Sequence, residues 1–107
     1  MGLATAQMRS IYLWLQRADL EYKIQLITEA KMNLGKTVSD LMNVGTDLLS
    51  DDPVVKKLEA RKERLHMMEK QLDYQLAMYQ SKLKMVDTEL ESSMKMVEKN
   101  IERSFKY

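Results

Sequence analysis

Ser50-Asp51-Asp52-Pro53 contains the chain's one proline and falls close to the middle of its 107 residues. The Asp52 carboxylate can accept from the free N–H groups of a following helical turn, the role of an N-cap. Pro53 suits the first helical position, where no N–H is needed. Asp51 adds negative charge at the positive end of the helix dipole. This tetrapeptide therefore predicts a turn at 50–53, with one helix ending before it and another starting at Pro53.

Working outward, both arms read as long helices. Three glycines and one proline are too few to punctuate a β-sandwich or an α/β domain. Leu, Met, Lys, Glu, Gln and Arg keep most of their rotamer freedom in a helix, and the chain is rich in them. Helix one is expected over about 3–49 and helix two over about 53–104. The fold class expected is all-α: an antiparallel, coiled-coil-like two-helix hairpin forming a single helical domain over 1–107, and oligomeric. The alternative is a compact three- or four-helix bundle in which helix one breaks at Gly35.

The seam between the arms follows a seven-residue rhythm. In helix one it reads Leu13, Leu20, Ile24, Ile27, Leu34, Val38, Leu41 and Leu48, with Arg17, Lys31 and Gly45 weakening it. In helix two it reads Val55, Leu58, Leu65, Leu72, Leu76, Tyr79, Leu83, Val86 and Leu90. Beyond Leu90 the apolar residues Met94, Val97 and Ile101 predict a one-residue shift of the seam, which would locally change the winding.

More apolar surface is present than one seam uses. Ile11, Tyr12, Trp14, Leu15, Tyr22, Leu26, Met32, Met42 and Val44 lie wholly or partly outside it in helix one. Helix two adds Met67, Met68, Tyr74, Met78, Met85, Met96 and Phe105, and Tyr79 borders this set. Methionine recurs on adaptable interfaces because its side chain is flexible and polarizable. Tyr12, Trp14, Tyr22, Met67, Met78, Tyr79, Met85, Met96 and Phe105 are the candidate interface. Residues at such spacing also serve as ordinary core, and the aromatic cluster can equally be local packing that closes the open end of the hairpin.

Other chemistry is sparse. There is no cysteine, so disulfides and thiolate metal sites are excluded. His66 has no second histidine at ligand spacing and reads as a solvated helix residue. Asp47, Asp51 and Asp52 lack the spacing and closing Glu of a calcium loop. No phosphate-binding glycine motif or nucleophile elbow occurs. The expectation is a non-enzyme with no cofactor, metal or small-molecule substrate. Lys56, Lys57, Arg61, Lys62 and Arg64 form a basic run, but Glu59 and Glu63 dilute it and no aromatic residue interleaves. With a net charge of +1, nucleic-acid binding through 56–64 is the weaker alternative. The apolar run Ile11–Leu15 is too short for a signal core or a membrane span. A cytoplasmic location, or export by a route without a cleaved signal, is expected.

The segment LAMYQSKL, Leu76 to Leu83, resembles the second-helix segment of bacterial type III secretion needle subunits, and Asp52-Pro53 resembles their aspartate–proline turn. Those proteins are small helical hairpins that assemble into a hollow filament. The resemblance implies a self-associating filament or ring subunit of a protein-export apparatus, with Asp52, Pro53, Tyr79, Gln80 and Leu83 in corresponding places. The stretch from Pro53 to Tyr79 is longer than the family's equivalent. Coiled-coil stalk proteins of export ATPases have a similar outline. A coiled-coil adaptor, chaperone or ATPase stalk that binds another helical protein is therefore the alternative function.

Overall fold

The computed structural model describes residues 2–45 and 53–106, with side chains described over 2–43 and 53–103. The fold is an all-α antiparallel two-helix hairpin. Helix α1 spans Leu3–Gly45 and α2 spans Pro53–Lys106. Pro53 opens α2, as its position after Asp52 predicts. Asp51, Asp52 and Leu48 lie outside the described residues, as does the predicted last turn of helix one. Helix α1 runs without interruption through Gly35, so the break that a compact bundle requires does not occur. The Gly2 carbonyl accepts from the Ala6 N–H at 3.2 Å and extends the first turn backwards.

Burial follows heptads whose alternation of three and four never breaks. On α1 the buried and half-buried positions include Leu3, Ala6, Ser10, Leu13, Arg17, Leu20, Ile24, Ile27, Lys31, Leu34, Val38 and Leu41. On α2 they include Val55, Leu58, Lys62, Leu65, Glu69, Leu72, Leu76, Tyr79, Leu83, Val86, Leu90, Ser93, Val97 and Asn100. The predicted shift after Leu90 is therefore corrected. Ser93 and Asn100 take the seam positions, while Met94 and Ile101 stand exposed beside them. The apolar neighbours imitate a phase change because the residues that hold the register there are polar.

Contacts divide the chain into two compact units. The first comprises Met1–Ile24 and Met78–Tyr107. In it Ala6, Leu13, Leu20, Leu90 and Ser93 are buried. Ser10 Oγ and Ser93 Oγ lie 2.8 Å apart, and Ser93 Oγ also reaches the Ala6 carbonyl at 3.3 Å. Ser10 Oγ donates to that same carbonyl at 3.0 Å. Two hydroxyl protons thus serve three contacts, and neither hydroxyl is left without a partner. Arg9 pairs with Glu89 at 3.5 Å and Arg17 with Asp87 at 3.1 Å. As α1 numbers rise their α2 partners fall, the signature of antiparallel helices.

The second unit is Gln25–Ala77. Its buried apolar residues are Ile27, Val38 and Val55. Charged residues Lys31, Lys62 and Glu69 occupy seam positions there and are half-buried. Their aliphatic stems can cover apolar neighbours while the charged ends reach water. Lys31 ends on Asp73 of α2, a pairing that is again antiparallel.

Candidate protein-interaction surface

The first unit carries an apolar stripe that the seam does not use. Met8, Ile11, Tyr12, Leu15 and Tyr22 are all exposed on α1. Each sits at a heptad position opposite the seam, since steps of three, four and seven keep residues on one helix face. The local cause is a helix apolar on two sides at once. One side meets α2; the other faces away from it. Asp19 interrupts the stripe and pairs with Lys23 at 2.8 Å. That hydrogen-bonded carboxylate, with its charge and a smaller effect of Tyr79, holds the Lys23 ammonium above the ordinary lysine value. Tyr12 accepts from Gln16 Nε2 at 3.0 Å.

Beside the seam, also in the first unit, an open groove of about 540 Å³ is lined by Ile11, Trp14, Met94 and Val97, with Gln7, Ser10 and Glu98 at its edges. Trp14 is half exposed. The Arg17 guanidinium stands 5.5 Å from the Trp14 ring centre and its Nε also reaches Glu21 at 3.2 Å. Trp14 is thus braced on one side by a cation and open on the other.

The predicted interface residues have different fates. Tyr12, Trp14, Tyr22, Met67, Met85 and Met96 are exposed. Met78 is half-buried. Tyr79 is half-buried at a seam position, with Lys23 and Lys82 ammoniums 5.7 and 5.8 Å from its ring centre. Its ring is an internal support rather than part of the outward stripe. The Phe105 side chain lies outside the described residues. Met8 and Met94 join the exposed apolar surface without belonging to the predicted interface. Met8 sits seven residues before Leu15 and fourteen before Tyr22, and this spacing is the signal in the sequence that marks it.

Of the seam residues expected from the heptad rhythm, Leu20, Ile24, Ile27, Leu34, Val38, Leu41, Leu58, Leu65, Leu72, Leu76, Leu83, Val86 and Leu90 are buried or half-buried, whereas Met94 and Ile101 are exposed and Leu48 lies outside the described residues. Lys62, from the basic run, sits in the seam, whereas Lys56, Lys57, Arg61 and Arg64 are exposed. His66 Nδ1 lies 3.4 Å from Glu69. Among the described residues no cluster of three or more metal-ligating side chains occurs, and no helix is long and apolar enough to cross a membrane.

Compared with known protein families, curated proteins and solved structures, the chain finds no match.

Proposed function

We propose that this protein is a non-enzymatic structural or interaction protein that works by self-association through its helix faces. One observation carries the reading: α1 is apolar on the side that faces away from α2, at Met8, Ile11, Tyr12, Leu15 and Tyr22. Large apolar side chains exposed along one helix face mark interaction sites. Light scattering on the purified chain tests it. Self-association at tens of micromolar is expected, and a clean monomer at that concentration would overturn it.

The resemblance of Leu76–Leu83 to needle subunits supports a more specific form, a filament or ring subunit of a protein-export apparatus. Electron microscopy of concentrated protein tests that form. Regular filaments or rings are expected, and only small closed oligomers would sink it.

The groove at Trp14 and Met94 favours a second reading, a coiled-coil adaptor, chaperone or ATPase stalk that receives a helix of another protein. Trp14→Glu tests the groove apart from the stripe: capture of that defined partner is lost while self-association through Leu15 is unchanged, and capture that survives the substitution would overturn this second reading.

A further inference from the structure

We infer that the outward stripe of α1 is a two-fold, antiparallel interface with a second copy of this chain, centred on Leu15. The inference rests on the self-association reading and names the face and geometry. Met8 is 72%, Ile11 60%, Tyr12 59%, Leu15 66% and Tyr22 61% exposed. At roughly 200 Å² for a fully exposed large side chain, these fractions amount to about 600 Å² per copy. Two copies would bury about 1,200 Å², the lower edge of specific, stable interfaces.

The occupant must be a helix face with an apolar stripe of the same spacing. Within the first unit the outward positions of α2 between Ser81 and Glu102 are polar apart from Met85, and Met78 before them is half-buried. The stripe's own counterpart in a second copy supplies what α2 does not. A contact of one patch with itself closes at two copies, because both surfaces are used in one step.

Asp19 decides the direction. A parallel pair sets the flank that carries Asp19 against the partner's flank of Ile11 and Ala18, where the carboxylate meets apolar side chains. An antiparallel pair with its axis at Leu15 sets Met8 against the partner's Tyr22, and Ile11 against the partner's Ala18. Antiparallel helices bring like flanks together, so Tyr12 meets the partner's Asp19. The Tyr12 hydroxyl accepts from Gln16 and keeps its own proton for donation. The arrangement therefore pairs an apolar centre with two symmetry-related Tyr–Asp hydrogen bonds.

The chain has no cysteine, so single cysteines report cleanly. Sedimentation of the full chain at low micromolar concentration should show a dimer, the unit from which filaments or rings at higher concentration would grow through other faces. Leu15→Glu should weaken it at least tenfold with helical circular dichroism unchanged, since Leu15 faces away from the seam. Under mild oxidation Leu15→Cys should form a disulfide-linked dimer. An equimolar mixture of Met8→Cys and Tyr22→Cys chains should cross-link to each other rather than to themselves. Met8→Cys linking to itself would overturn the antiparallel geometry. An oligomer unaffected by Leu15→Glu and uncross-linked at Leu15→Cys would overturn this face and leave self-association standing. A monomeric wild-type chain would remove both. If Leu15→Glu fails to fold, the cysteine variants, which carry no buried charge, decide the question.

Discussion

The two compact units are built on the same heptad seam but solve it differently. In the first unit Ala6, Leu13, Leu20 and Leu90 are buried, and the polar positions Ser10 and Ser93 are short hydroxyls bonded to each other and to the Ala6 carbonyl. In the second unit the polar seam positions are long charged side chains, among them Lys31, Lys62 and Glu69. A short buried polar pair fits one alignment of two helices, because sliding either helix leaves a hydroxyl buried without a partner. A lysine whose tip reaches water tolerates small displacements. The comparison teaches that register is fixed in the unit that also carries the apolar outward stripe. A stripe intended for a second surface needs its residues held at defined heights.

Core truncation should break the comparison most visibly. Leu90→Ala, at a buried seam position, should lower stability by about 2–4 kcal/mol in urea unfolding. Leu34→Ala, half-buried in the second unit, should lower it by only about 1–2 kcal/mol. Equal losses would mean that the second unit is as tightly packed as the first.

The serine pair comes next. Ser93→Ala should cost about 1 kcal/mol. A double-mutant cycle with Ser10→Ala should show coupling of about 0.5–1.5 kcal/mol, because the two hydroxyls share one network. Additive losses would remove the register role.

Gly35→Ala should raise stability by about 1 kcal/mol. Gly35 lies inside α1, and a methyl group there meets nothing within 4 Å. A loss on this substitution would show that the second unit needs the smallest residue at that height.

Seam charges should matter less. Lys31→Met should change stability by less than about 1 kcal/mol, since its pairing with Asp73 is solvent-accessible. Arg17→Met should be the more damaging of the two, because Arg17 touches Asp87, Glu21 and the Trp14 ring. The smallest effect should be alkaline. Lys23 is held above its ordinary value of 10.5 in the folded chain by Asp19. Its contribution is then complete below that ordinary value and lost as pH rises through the folded one. The stability difference between wild type and Lys23→Met, followed upward from neutral pH, should shrink in that alkaline range.

Leucine, isoleucine and valine at heptad spacing make most of the seam legible in the sequence. So does the proline that opens α2, because helix propensity and periodicity are local properties. The outward stripe is partly legible, through Ile11, Tyr12, Leu15 and Tyr22 lying off the seam. The register at Ser93 and Asn100 is not. A pattern of apolar residues follows Met94 and Ile101 instead, as nothing in the local sequence marks a serine as buried.

Sequence alone therefore determined two helices, their antiparallel reversal near Pro53 and a hydrophobic face for each. Only the tertiary structure decided which polar residues enter the seam and that α1 continues through Gly35. The physical reason is that a helix forms from its own neighbours in sequence. Whether a hydroxyl is buried, or a methionine exposed, depends on what the opposite helix presents at the same height.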